Sequence, residues 1–166
     1  MACRALLAGA AALGFAAAAS AQTAIPMVSD IQVEADLTAV ANPQAAAYWG
    51  TLDADLSAAL AAEVVDLISP DGLVLIVDLD EISLASLLEA QAGADDARLT
   101  GDVGLYNPQT EEVERMFTIS ATTNEAAPYL PAGVDVVTVS PSSAEFYAAV
   151  VKAFARGVSE TVRSPG

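Results

Sequence analysis

The 166-residue chain contains no histidine and a single cysteine, Cys3. Without histidine, the chain cannot form a Ser-His-Asp triad, a Cys-His pair or a histidine-ligated zinc or iron site. Neither GxxxxGK[ST] nor GxGxxG occurs, so the sequence indicates no phosphate-binding loop. Lys152 is the only lysine, and a Ser-Lys mechanism would need it desolvated beside a serine. These absences predict a protein with no catalytic residue of these classes and no cofactor.

Basic residues are also scarce, because six lysines and arginines stand against 22 aspartates and glutamates. Such a surface repels nucleic acid and anionic lipid headgroups, and neither is predicted as a partner. The simplest interpretation of the excess of acidic residues is that it keeps the protein soluble. It would also suit a salty exterior, where salt screens the repulsion between the acidic side chains. A cationic partner or divalent ions are the alternative meaning.

The amino-terminal segment has the pattern of an export signal. Arg4 precedes an apolar run over residues 5–18, and Ala19-Ser20-Ala21 gives a small-x-small cleavage site between Ala21 and Gln22. The run is too short and alanine-rich to cross a bilayer core of about 30 Å comfortably. Cleavage would remove Cys3 and Arg4, leaving no thiol, five cations and a net charge of −17 against the −16 of the whole chain. Residues 1–21 are thus predicted to be a cleavable signal peptide, which places the protein in the periplasm or outside the cell.

The remaining chain is predicted to hold a short tether at residues 22–29 and one domain at residues 30–163. No later segment is apolar enough for a membrane span. The densest aliphatic run is residues 73–84, introduced by a Ser69–Gly72 turn. This run predicts a strand buried on both faces and central to a sheet.

Other segments alternate as half-buried strands. These are residues 30–38 and the two arms of a hairpin at residues 98–106 and 112–123. On the second arm, alternation places Val113, Arg115, Phe117 and Ile119 on one face. Residues 124–141, with three prolines, predict a loop, and residues 134–139 within it predict a short edge strand.

Two helices complete the pattern. Asn42-Pro43 predicts a helix start, and an apolar stripe then continues from Trp49 to Leu67. Ser142 and Glu145 fit a capping box ahead of a second stripe from Tyr147 to Val162. The fold class predicted from this order is an α+β two-layer sandwich, with two long amphipathic helices on one face of a mostly antiparallel sheet.

Acids at the end of the central strand are the candidate site. Alternation places Asp78 and Asp80 on one face and Glu81 on the other, and residues two apart on a strand are about 6–7 Å apart at Cα. Two carboxylates at that separation suit general acid–base catalysis or calcium binding, with Asp95-Asp96 as a further place for calcium. Neither segment matches a DxDxDG loop with a glutamate at its twelfth position. The simpler interpretation is a solvated strand end, so no metal ligand is assigned.

The order strand, long helix, strand, hairpin and helix after an export signal resembles small periplasmic or lipoprotein α+β domains related to the TolB amino-terminal domain. The run from Leu99 to Pro108 is similar to their G-x-V-x-L-x-[DN] strand, and residues 146–155 are similar to their final helix. Members generally act as non-catalytic envelope modules that bind other proteins, which the resemblance implies for this chain. The chain lacks the lipobox cysteine of the lipoprotein members. No functional residue is carried over.

The function predicted from the sequence is an exported, non-catalytic envelope module that binds a protein partner by a sheet face or a strand edge. The alternative is a carboxylate-based hydrolase or a calcium-dependent binder that uses Asp78 and Asp80.

Overall fold

The computed structural model describes residues 24–35, 49–79, 98–136, 138–139 and 143–164. Within these ranges the strands form one four-stranded mixed sheet, and their spatial order follows the sequence. The first two strands pair in parallel and the other two pairs are antiparallel. The strands are β1 (Val28–Ala35), β2 (Leu73–Leu79), β3 (Arg98–Tyr106) and β4 (Val113–Thr122).

One helix lies between the first two strands in the chain, and the others follow the fourth strand. They are α1 (Leu52–Glu63), the short α2 (Thr123–Ala126) and α3 (Ala144–Arg163), with 3-10 turns at Val65–Leu67 and Ala127–Tyr129. Strands and helices together confirm the predicted α+β class. No helix in the described part of the chain is both long and apolar enough to cross a membrane.

Strand β2 lies between β1 and β3, which confirms its central position. Its two faces differ, because Leu75, Val77 and Leu79 are buried whereas Asp78 is exposed. The prediction of a strand buried on both faces is therefore wrong. On the face that carries Asp78, Val74 and Ile76 are only half-buried. Residues 80–84 lie outside the described ranges.

The core contains buried side chains from all four strands and from the two longer helices. Each fully buried large apolar side chain contributes about 1.5–3 kcal/mol relative to an exposed one. The buried side chains of α3 lie along one stripe of the helix, as the periodicity predicts. The largest fully buried side chains are Trp49, Phe146, Phe154, Leu52, Leu56, Leu60, Leu75, Leu99, Leu105 and Val28.

Helix α1 begins later than the sequence predicts. Asn42 and Pro43 lie outside the described residues, and Trp49–Thr51 form a bend and turn before Leu52. The Thr51 hydroxyl donates to Asp55 Oδ2 at 2.8 Å and does not cap the helix. The Trp49 ring packs on the Tyr147 ring of α3, with centroids 5.0 Å apart. A single continuous helix over residues 49–67 is therefore wrong, although the apolar stripe from Trp49 to Leu67 is buried.

The turn from α1 into β2 depends on Gly72. A Cβ atom at this position would lie 2.6 Å from the backbone carbon of Val28, which is closer than real Cβ contacts. The Gly72 amide donates to the Ser69 carbonyl at 3.0 Å, and the Leu73 amide donates to the Met27 carbonyl at 2.8 Å. The turn therefore sets β2 directly beside β1, which begins at Val28 and not at the predicted Asp30.

Helix α3 is capped one residue later than predicted. Ser143 is the N-cap, and its hydroxyl accepts from the Phe146 amide at 3.1 Å, while Ser142 lies outside the described residues. A complete capping box occurs instead at Thr122 and Glu125, ahead of α2. The predicted loop over residues 124–141 thus contains α2 and a 3-10 turn. The edge strand predicted at residues 134–139 is wrong for its described positions, which form turns or irregular backbone.

The hairpin of β3 and β4 is confirmed, with one change of register. Leu105 pairs with Arg115 but Tyr106 pairs with Val113, so the ladder contains an irregularity. A bulge of this kind moves the following side chains to the other face. Val113 is 49% exposed and does not lie with Phe117 and Ile119 on the inner face, which is the sheet face that carries Leu75, in contrast to the sequence prediction.

Candidate interaction surface

Asp78 lies on the face of β2 opposite to Leu75 and Val77. Asp80, Glu81 and Asp95-Asp96 lie outside the described residues, so the predicted pairing of Asp78 with Asp80 stays a prediction. The sheet face that carries Asp78 is called the outer face. Its described residues, from the strand registers and alternating exposure, are Asp30, Gln32, Glu34, Val74, Ile76, Asp78, Arg98, Thr100, Asp102, Gly104, Tyr106, Val113, Met116, Thr118, Ser120 and Thr122.

Three carboxylates lie side by side on the outer face. Glu34 of β1 is opposite Asp78 of β2, and Asp78 is opposite Asp102 of β3. Adjacent strands are about 4.8 Å apart, so the three side chains are direct neighbours. The set Glu34, Asp78 and Asp102 is called the acid row. Beyond it, Thr118 of β4 donates from its hydroxyl to Asp102 Oδ1 at 2.6 Å.

The acid row costs the sheet stability. Aspartate is among the residues least favoured in strands, and like charges directly opposite one another are destabilising. Asp78 has such a neighbour on both sides, and its carboxylate accepts no hydrogen bond from the described residues. We therefore expect the acid row to lower the stability of the sheet.

The next row of side chains on the outer face, two residues along the strands from the acid row, is apolar. Ile76 pairs with Gly104, and Gly104 pairs with Met116, which is 62% exposed. The Tyr106 ring lies over Gly104, where a Cβ atom would collide with the ring. Val113, opposite Tyr106, extends this apolar area. An acidic level and an apolar level thus lie about 7 Å apart along the strands.

Arginine 115 lies on the inner face, away from the acid row. Its Nη1 donates to the Ser164 carbonyl at 2.9 Å and to the Val162 carbonyl at 3.4 Å. Its guanidinium also lies 5.5 Å from the Phe117 ring centroid. The cation therefore binds the negative carboxyl end of α3, where helix carbonyls lack partners within the helix.

Arg163 joins α3 to the end of α1. Its guanidinium donates to both Asp66 carboxylate oxygens at 2.7 and 2.9 Å and to the Glu63 carbonyl at 2.8 Å. The hydrogen bond from Arg163 lowers the pKa of Asp66, and the same bond raises the pKa of Arg163. Two turns earlier on α3, Arg156 bonds Glu160 at 2.8 Å and Glu63 at 3.3 Å. These hydrogen bonds, above all the one to Glu160, raise the pKa of Arg156.

The cations are therefore segregated from the acid row. Lys152, the remaining cation on α3, lies 5.7 Å from the Tyr129 ring centroid. Arg98 is on the outer face, but at the start of β3, four residues and about 13 Å along the strand from Asp102. Within the described residues, no salt bridge involves a member of the acid row.

A separate depression of about 440 Å³ lies beside the 3-10 turn at Ala127–Tyr129. It is open to solvent and contains one charged lining residue, Asp135. None of the candidate site residues predicted from the sequence lines it. Its lining residues are Ala127, Leu130, Gly133, Val134, Asp135 and Val136.

Within the described ranges, no group of three or more Cys, Asp or Glu side chains is arranged to hold a metal ion. The acid row is a flat line across three strands and lies away from the described depression. Its geometry differs from that of a calcium loop, which surrounds the ion with six to eight oxygen ligands.

Sequence reasoning found one member of the acid row and missed the other two. The alternation of polar and apolar residues in each strand indicates that Glu34 and Asp102 face outward, and this was the sequence signal that could have identified them. Their alignment with Asp78 depends on the registers of β1 with β2 and of β2 with β3. Nothing in a single sequence specifies those registers.

Comparison with known proteins gives little further information. No family model matches the chain, and no curated protein matches it. Among solved structures, the chain is similar to a protein of Caulobacter crescentus described as a candidate lipoprotein, with 13% identity and a TM-score of 0.41. The match covers 80% of this chain and 87% of that protein. Similarity at this level establishes neither a shared fold nor a shared function, and the likeness to the TolB amino-terminal domain stays a prediction.

Proposed function

We propose that the chain is an exported, non-catalytic module of the bacterial envelope that binds a protein partner through the outer face. The observation that carries the proposal is the exposure of large apolar side chains, above all Met116 at 62%, beside charged residues on the outer face. Such a juxtaposition of apolar and charged side chains is typical of recognition surfaces. The proposal includes the two-layer arrangement predicted from the sequence, with α1 and α3 over the inner face.

Composition supports a role in binding over one in catalysis. The chain has no histidine, and its one cysteine is in the predicted leader. The outer face carries carboxylates, hydroxyls and apolar groups, which together provide contacts but no activated nucleophile. The leader over residues 1–21 supports export to the periplasm or the exterior.

The hydrolase or calcium-binding alternative has less support. A general acid–base pair works in a cleft where the two carboxylates flank a bound substrate. Asp78 instead lies in a line with Glu34 and Asp102 on exposed sheet positions. The depression beside Ala127–Tyr129 is not lined by Asp78.

Site-specific crosslinking in cells tests the proposal. A photoreactive residue is placed at Met116 on the outer face, and a matched one at Val65, which is 70% exposed on the 3-10 turn after α1. We expect a discrete crosslinked protein from position 116 and none from position 65. The captured protein is then purified, and its binding to the unmodified chain is measured by calorimetry.

Three outcomes would contradict the proposal. Equal crosslinking from both positions would indicate nonspecific contact. No crosslink from position 116 would remove the outer face as the binding surface. A crosslink only to a second copy of the chain would indicate self-association in place of partner binding.

A further inference from the structure

We propose that the occupant of the outer face is a basic segment of the partner protein, with Lys or Arg side chains against the acid row and apolar side chains against Met116 and Ile76. This inference rests on the proposed function and specifies the chemistry of the partner. The partner segment must present cationic and apolar side chains next to each other on one face, because the outer face carries an acidic row next to an apolar row.

Charge complementarity is the first argument. The acid row places three carboxylates across three adjacent strands, and no described cation pairs with any of them. Arg115, Arg156 and Arg163 bond elsewhere, on the helix side of the sheet. A cationic side chain above Asp78 would therefore meet a negative potential from three neighbours at once.

Other occupants fit this face less well. A second copy of the chain would bring a second acid row against the first, and like charges facing one another are unfavourable. Anionic lipid headgroups would be repelled for the same reason. The acid row itself does not surround a divalent ion, as calcium coordination requires.

The size of the face sets the expected affinity. Four strands at about 4.8 Å and rows from Thr100 to Tyr106 give an area of about 19 by 20 Å, or roughly 400 Å² on this side. Stable complexes bury about 800 Å² on each partner, so a contact of this size is weak or transient. We therefore expect a dissociation constant in the micromolar range or above.

Binding of short synthetic peptides tests the inference on the protein purified after expression of the full sequence. The probes are three peptides of repeating sequence: Lys-Ser-Val-Ser (the lysine–valine peptide), in which lysine and valine alternate along one face of an extended chain, Lys-Ser-Ser-Ser and Glu-Ser-Val-Ser. Amide shifts of the ¹⁵N-labelled protein locate binding. The test variant is Asp78→Asn with Asp102→Asn, and the control is Asp53→Asn with Glu145→Gln, two exposed acids on α1 and α3.

We expect the lysine–valine peptide to shift the amides of Asp78, Asp102 and Met116 and to bind more tightly than the other two peptides. The test variant should weaken it about fivefold or more, and the control variant less than twofold, from the usual strength of exposed charge pairs. Raising the salt from 0.1 M to 1 M shortens the Debye length from about 10 Å to about 3 Å and should abolish the preference.

The inference is overturned if both double variants weaken binding equally, since bulk charge would then explain it, or if the shifted amides lie on α1 and α3. It also fails if the protein crosslinked at position 116 binds the test variant as tightly as the unmodified chain. The proposed function would stand in that last case, because the outer face would still hold a partner. Absence of any crosslink at position 116, with normal peptide binding, would instead contradict the proposed function.

Discussion

Replacing Asp78 by Asn should make the protein more stable. Asp78 lies between Glu34 and Asp102, and each of these cross-strand pairs brings two carboxylates directly opposite one another. Asparagine has nearly the same shape and is equally unfavourable in strands, so the change removes the charge and little else. The repulsion that disappears belongs to two pairs.

The size of the gain follows from the cost of like charges across strands. Each pair costs about 0.2–1 kcal/mol, so Asp78→Asn should raise the free energy of unfolding by about 0.4–2 kcal/mol. For a domain of this size, that corresponds to a melting temperature higher by roughly 1–6 °C. Differential scanning calorimetry in low-salt buffer measures the change.

Asp53→Asn is the matched control. Asp53 is exposed in the first turn of α1, where a negative charge is favourable beside the helix dipole. The same chemical change should therefore lower the melting temperature slightly at this site. At 1 M salt, screening should reduce the gain from Asp78→Asn. An unchanged or lower melting temperature for Asp78→Asn in low salt, or a gain that salt does not reduce, would refute the reasoning.

Three further changes test the contacts that hold the fold. The hydrogen bond from Arg163 lowers the pKa of Asp66 from 3.8, so this pair should stabilise the protein above about pH 4. The stabilisation should be lost as the pH falls further. The melting temperatures of Asp66→Asn and the unmodified chain should therefore converge below pH 3.8. Gly101→Ala should lower the free energy of unfolding by about 1–3 kcal/mol, because the added Cβ would lie 2.8 Å from the Asp78 carbonyl oxygen. Urea unfolding measures the change, and a more stable variant would contradict the close packing. Ser143→Ala should cost about 1 kcal/mol through loss of the α3 cap, and Ser143→Asp should restore most of it if capping is the cause.

Features encoded by local patterns were predictable from the sequence. Helix α3 combines an apolar stripe with polar residues at its start, and both strands of the hairpin alternate around a turn. Each signal is contained within one segment, so no knowledge of distant contacts is needed. The cap of α3 was misplaced by one residue because Ser142 and Ser143 are chemically equivalent candidates.

Features set by packing between segments were not predictable. The apolar residues Val74 and Ile76 make β2 resemble a fully buried strand, but both are only half-buried and Asp78 on the same face is exposed. The irregularity at Leu105 and Tyr106 leaves Glu114 of β4 without an opposite residue and reverses the face of Val113, although neither Glu114 nor its two neighbours is a glycine or proline. The acid row needs two strand registers at once, which a single sequence does not contain.

The parallel pairing of β1 and β2 determines the order in which the sheet can be completed. β1 is first in the chain, but its partner residues begin at Leu73, beyond the whole of α1. The β3–β4 hairpin closes a far shorter loop, and local contacts form faster than distant ones. We expect pulse-labelled hydrogen exchange to protect the amides of β3 and β4 before those of β1. Early protection of β1 would contradict this order. The strand nearest the amino terminus would thus be the last to join the sheet.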